Sequence, residues 1–216
     1  MHTSEKAVLF DLDGTLIDSS EGITKAVQYA LRHYGIEEPD LDKLRGFIGP
    51  PLGGSFQKYY GFSREQGQEA IGVYREYYRP RGIFECCLYP GVETTIRELK
   101  ARGYRIGLAS SKPEIFCRQI LEHFDILELF DEVGGATEDE RIVTKEDVLA
   151  EVMHRMGEVP KERIWLIGDT VFDIEGANQA GIRSIGVSYG FGDTQEMMAK
   201  GALAICDELP GILEYL

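Results

Sequence analysis

The sequence predicts an α/β fold, a doubly wound parallel sheet with an inserted α-helical domain. Three observations carry that expectation. Short Ile-, Val- and Leu-rich runs without clean alternation are separated by helical patterns, as strands buried on both faces are separated by their crossover helices. The stretch from Asp18 to Phe84 contains no convincing strand. Two acidic clusters, Asp11-Leu12-Asp13 and Asp169 to Asp173, each follow an apolar run, Ala7–Phe10 and Ile164–Ile167. Ligands of such sheets sit beyond the carboxyl ends of the strands, so carboxylates placed there are set to converge.

The elements follow in order. The first strand is expected over Lys6–Phe10. In the insert, Ile23, Ala26, Val27, Ala30, Leu31 and Tyr34 keep helical spacing. Gly46, Gly49, Pro50, Pro51, Gly53 and Gly54 then break the helices. Ser63 and Gln66 form a capping box that opens a helix through Ala70, Tyr74 and Tyr77–Tyr78. Asp18–Glu21 and Arg81–Cys86 are the expected connections, which makes residues 1–17 and 85–216 the core and 18–84 the insert. Pro90-Gly91 starts a helix over Val92–Ala101. Beyond it the reading gives strand Tyr104–Ala109, helix Glu114–Phe124, strand Glu132–Gly134 and helix Lys145–Met156. Strand Ile164–Ile167, helix Asp173–Ala180, strand Arg183–Val187 and a weaker strand Ala202–Ile205 complete the chain. This alternation implies parallel pairing through crossovers.

Several residues just past these strands can carry chemistry. Asp11 can attack phosphorus as a carboxylate, splitting one hard displacement into two easier ones. Asp13, two residues on in extended chain, leaves from the same side and can handle the proton on a leaving oxygen. Gly14 permits a tight turn, and backbone N–H groups nearby can cradle phosphate oxygens. Asp169 is placed to ligate a cation. Asp173 reads either as a plain helix N-cap or as a support to the metal site. Ser110 and Ser111 precede Lys112-Pro113; a hydroxyl there can donate to phosphate or simply cap a helix. Lys145 starts a helix and can offset negative charge on a transferring group, although a surface lysine is the ordinary case. Gathered carboxylates repel one another, and a hard cation such as Mg²⁺ offsets that cost.

No position is decisive alone. Their order is: Asp-x-Asp-Gly-Thr after the first strand, serine after the second, lysine at a helix start, and Gly-Asp-x-x-x-Asp after the fourth. That order resembles the haloacid dehalogenase superfamily of phosphohydrolases, over nearly the whole chain. The resemblance implies a Rossmann-like core in which Asp11 is the phosphorylated nucleophile and Asp13 the general acid and then base. It implies Mg²⁺ held by Asp11, the Asp13 carbonyl and Asp169 with Asp173 in support, and a phosphoryl group bound by Gly14, Thr15, Ser110, Ser111 and Lys145. The insert is similar to the cap of the phosphoglycolate phosphatase-like branch, and Phe47-Ile48-Gly49-Pro50-Pro51-Leu52 looks like a cap loop of those proteins. Arg45, Lys58, Arg75 and Arg79 are cap cations that either meet a substrate or lie on solvated faces. Two departures stand out. Ser110-Ser111 replaces the frequent Thr-Asn, and Glu138-Asp139-Glu140-Arg141 replaces a frequent Lys-Pro-x-Pro. Lys145 is the chosen motif lysine and Lys112 the substitute.

A formal charge of −14 argues against nucleic-acid and anionic-membrane surfaces, which need a basic face. Cys86, Cys87, Cys117 and Cys206 lack zinc-site spacing, which favours reduced thiols and a cytoplasmic protein. No signal-peptide pattern or membrane-length apolar run is expected. The expected function is Mg²⁺-dependent hydrolysis of a small phosphomonoester: phosphoglycolate, a nucleoside monophosphate or a sugar phosphate. The alternatives are a sugar phosphomutase and a non-catalytic metabolite-binding regulator. The expected partner is a small phosphorylated metabolite, and the state is monomer or homodimer.

Overall fold

A computed structural model describes residues 5–137, 142 and 144–216. The departure noted at Glu138–Arg141 lies outside the described residues. The chain forms two compact units, 1–17 with 88–216 and, inserted, 18–87. The second crossing lies three residues later than the sequence suggested.

Strand β1 (Lys6–Phe10) leads into the first crossing, where β2 (Ile17–Asp18) begins. The inserted unit holds α1 (Ser20–His33), α2 (Leu52–Tyr60) and α3 (Arg64–Tyr78). Helix α1 buries Ile23, Ala26, Val27, Ala30 and Leu31, the stripe read from the sequence. Helix α3 opens on the Ser63–Gln66 capping box, with both reciprocal bonds made. Strand β3 (Cys87–Leu88) pairs with β2 at the second crossing.

The larger unit continues with α4 (Val92–Ala101), β4 (Tyr104–Pro113), α5 (Glu114–His123), β5 (Glu132–Ala136) and α6 (Lys145–Met156). Then come β6 (Ile164–Gly168), α7 (Val171–Ala180), β7 (Arg183–Val187), α8 (Thr194–Ala199) and β8 (Ile205–Cys206). The sheet is parallel, in the order β5-β4-β1-β6-β7-β8. The last strand occupies Ile205–Cys206 rather than Ala202–Ile205, and Leu203 is exposed.

Connections run one way from β1 to β4 and β5 and the other way to β6 and β7. The strand order therefore reverses at β1, the switch point where such sheets bind ligands. Ala7 and Leu9 face a core of Val148, Leu149, Val152, Met156 and Ala177 from α6 and α7. Each fully buried side chain of this kind contributes about 1.5–3 kcal/mol. Gly134 and Gly107 let α6 lie close to the sheet: a Cβ on Gly134 would strike Val152, and one on Gly107 would strike Leu9 and crowd Met156 and Val152. That close approach carries Lys145, the first residue of α6, to the carboxyl end of β1. Among the described residues, no helix is long and apolar enough to cross a membrane.

Candidate active site

Register places the site residues side by side. Phe10 pairs with Leu108 on one flank and Ile167 on the other. Asp11 continues the ladder by donating its N–H to the Ile167 carbonyl, 2.9 Å away. Asp11, Ser110 and Asp169 therefore leave from three adjacent strand ends, and all three are buried.

The Lys145 ammonium joins them. It donates to Asp11 Oδ1 at 2.7 Å and to the Ala109 carbonyl at 2.8 Å, and it pairs with Asp173 Oδ1 at 2.7 Å. Its three N–H donors are thus all engaged. Gly176 makes room for the lysine stem; a Cβ there would lie 2.8 Å from Lys145 Cγ. Burial opposes the lysine's charge, but Asp11 and Asp173 hold the ammonium above the usual lysine range.

Asp173 is not the N-cap of α7. Thr170 is, and the helix starts two residues earlier than the sequence suggested. Asp173 returns its Oδ2 to the Thr170 N–H at 3.0 Å and hydroxyl at 2.8 Å, keeping Oδ1 for Lys145. It completes the capping box of Thr170 from the third helical position and faces the site together, because its two oxygens divide the work.

Asp169 is fully buried. Its Oδ2 accepts the Phe191 N–H at 2.8 Å, and its Oδ1 a long hydrogen bond from the Thr15 hydroxyl at 3.3 Å. The Thr15 hydroxyl, from a residue expected among the phosphate-binding groups, is turned toward Asp169. Gly14 adopts φ +84, and a Cβ there would strike the Asp169 carboxylate. The Tyr189 hydroxyl reaches the Thr15 carbonyl at 2.9 Å. The Tyr189-Gly190-Phe191-Gly192 loop thus braces two motifs, a role the sequence reading missed. Its visible signal is the paired glycines, since a Cβ on Gly190 or Gly192 would collide with Asp169. Ser111 stands exposed, whereas Ser110 Oγ accepts the Lys112 N–H at 3.3 Å. Lys112, the substitute motif lysine, does not take that place; its Nζ pairs with Asp13 Oδ1 at 2.8 Å.

Oxygen atoms of Asp11, Asp169 and Asp173 lie within 4.8 Å of one another. Three clustered carboxylates share one ammonium, which pairs with Asp11 and Asp173, and the surplus of negative charge with all-oxygen donors suits a hard divalent cation. Burial, with Asp173 and Asp13 nearby, pushes the Asp11 carboxyl up to about 6 against the pull of Lys145. Burial and the charges of Asp173 and Asp11 push Asp169 well above the carboxylate range. A cation here would relieve both. Gly190→Ala should displace Asp169 and, were the site to hold Mg²⁺, weaken its binding by about 10–100-fold, the usual cost of disturbing a ligand's support; calorimetric Mg²⁺ titration of the folded variant beside the wild type checks this.

Comparison with known proteins agrees with the geometry. Residues 8–187 match the profile of the haloacid dehalogenase-like hydrolases. The chain is 39% identical to a 5'-nucleotidase of Pseudomonas aeruginosa over 97% of its own length and 94% of the relative's. It is 36% identical to tyrosine-protein kinase PtkA of Mycobacterium tuberculosis, covering 88% of this chain and 64% of that protein. It is also 34% identical to a phosphoglycolate phosphatase of Cereibacter sphaeroides, over 97% and 98% of the two chains. The crystal structure of a predicted phosphatase from Clostridium acetobutylicum superposes with a TM-score of 0.92 at 41% identity, covering 98% of each chain.

Proposed function

From the premise that this chain belongs to the haloacid dehalogenase-like hydrolase family, and is a phosphoric monoester hydrolase like the 5'-nucleotidase and the phosphoglycolate phosphatase among its relatives, we propose that it is Mg²⁺-dependent and works through an aspartyl phosphate on Asp11. The observation that carries this is Lys145 bridging Asp11 and Asp173 beside Asp169. An uncompensated carboxylate would repel a phosphate dianion; an ammonium 2.7 Å away makes the approach feasible.

Asp11 attacks phosphorus as the ester P–O bond breaks, and Asp13 gives its proton to the leaving alcohol. Asp13 then takes a proton from water, whose oxygen attacks phosphorus, and the P–O bond to Asp11 breaks to release phosphate. Ser110 donates to a phosphoryl oxygen, and Lys145 offsets the charge spread over that group. Asp11, Asp169, Asp173 and the Asp13 carbonyl would hold Mg²⁺, which when bound neutralises phosphoryl oxygens.

The substrate is a small cytoplasmic phosphomonoester, a nucleoside 5'-monophosphate first and phosphoglycolate or a sugar phosphate after it. Near-full-length similarity to a 5'-nucleotidase supports that order. The inserted unit, 18–87, is the part of the chain expected to set specificity. The test is phosphate release from a panel of phosphomonoesters with Mg²⁺, with EDTA, and with Mg²⁺ restored. Strong release from one ester, lost in EDTA and recovered with Mg²⁺, is the expected result. Full activity in EDTA overturns the metal assignment, and transfer to a sugar in place of water would make the protein a phosphomutase.

A further inference from the structure

We propose that Lys112 is a positioning residue for Asp13: its ammonium fixes one carboxylate oxygen so that the other handles the proton of the leaving alcohol. This rests on the hydrolase reading above, in which Asp13 is the acid and base.

Asp13 has a cationic neighbour other than Lys145. Lys145 has engaged its three donors on Asp11, Asp173 and Ala109 and has none left for Asp13. Lys112 Nζ lies 2.8 Å from Asp13 Oδ1, with the two side chains only 6% and 13% exposed. An ion pair so shielded from solvent holds its geometry far better than an exposed one.

The fold is built to aim this lysine. Ser110 pairs with Gly135, yet Pro113 pairs with Ala136, so Ser111 and Lys112 are extra residues in the register of β4. Such a bulge re-aims a side chain at a sheet edge or site. The Lys112 backbone is pinned at both ends: its N–H goes to Ser110 Oγ, and its carbonyl accepts the buried Cys117 thiol at 3.6 Å. Gly135 is the complement on β5, because a Cβ there would strike the Lys112 carbonyl and lie 2.6 Å from the Glu114 nitrogen. The bulge thus costs β5 a side chain and delivers Lys112 to Asp13.

A positioning role has a signature that phosphate binding lacks. A nucleoside or sugar alkoxide leaves badly without a proton, whereas a dinitrophenolate leaves well without one. Protonation by a placed acid is worth about 10²–10⁴-fold, and only the first kind of ester draws on it. We expect Lys112→Met to lower kcat/KM for the preferred alkyl phosphate by about 10²-fold, and for 2,4-dinitrophenyl phosphate by less than about 5-fold, as a general-acid role requires. Lys112→Arg, which keeps the charge, should recover most of the loss. In a variant that already carries Asp13→Ala, adding Lys112→Met should change little, because the interaction it serves is gone.

Equal losses on both esters would overturn the proposal and make Lys112 a phosphoryl ligand or a structural support. No loss on either ester would overturn it too. Should Lys112→Met fail to fold, the comparison of Lys112→Arg with the wild type across both esters decides, a uniform drop counting against positioning. A wild-type protein inactive on every ester would remove the hydrolase reading and this proposal with it, whereas an active wild type isolates the failure to Lys112.

Discussion

Asp11→Asn is expected to abolish turnover and to leave the fold standing. The amide matches the carboxylate in size, so packing around Phe10 and Ala109 is undisturbed, but it cannot form an acyl phosphate. Loss of a nucleophile costs on the order of 10⁴–10⁶-fold in enzymes where this has been dissected, and background phosphate release is the expected result. Stability should not fall. The substitution removes one of three buried carboxylates that lie within 4.8 Å of each other, and Lys145 keeps Asp173 at 2.7 Å. The melting temperature without divalent cation is therefore expected to equal or exceed that of the wild type. Retention of a tenth or more of wild-type activity, an amount no mutated nucleophile should show, would assign the attack to another group. Acid trapping of a phosphorylated intermediate provides the direct check: label on the wild type, none on the variant.

Much of this site was legible because its chemistry follows strand ends. Asp11, Asp169 and Lys145 come from positions far apart in sequence, yet each sits where an apolar run stops or a helix starts. The parallel alternation alone brings those ends together. The helix limits Val92–Ala101 and Lys145–Met156 were readable from Pro90-Gly91 and from the helical spacing; in the structure Gly91 takes a positive φ and a Thr144–Asp147 capping box opens the second helix. The division at Asp18 was visible as a change of period from strand to helix.

What the sequence concealed depends on contacts between distant backbones. Gly176, Gly190 and Gly192 act by lacking a Cβ, and nothing in their neighbours says which side chain would collide. Asp173 read as a cap because Thr170 is an equally good cap three residues earlier; only the division of its two oxygens shows both roles. Lys112 was ranked as a stand-in for Lys145, since one-dimensional order cannot reveal a bulge. The extra residues of β4 appear only in the pairing with β5. The inward turn of the Thr15 hydroxyl to Asp169 is likewise set by a contact between segments far apart in sequence.

Lys145→Met is expected to damage stability and catalysis together. Its ammonium is the cation that offsets Asp11 and Asp173 in a buried setting. Removing one member of a buried ion cluster strands the others, at a cost of about 3–5 kcal/mol. For a chain of this size that is a fall of roughly 6–20 °C in melting temperature. Saturating Mg²⁺ should recover part of it, since a cation held by the native carboxylates, as proposed, would stabilise by mass action. Turnover should fall by about 10²–10³-fold, as when a preorganised charge is removed from a reacting centre, and Mg²⁺ should not restore it. Lys145→Arg should regain little, because a planar guanidinium cannot point three N–H groups at Asp11, Asp173 and the Ala109 carbonyl. Gly176 adds a steric limit, as it leaves room for a slender stem only. A Lys145→Met protein with wild-type melting temperature and turnover would remove the central cation from the mechanism. The contrast with Asp11→Asn is the sharper test. One substitution subtracts a repelling charge and costs only activity; the other subtracts the compensating charge and costs both.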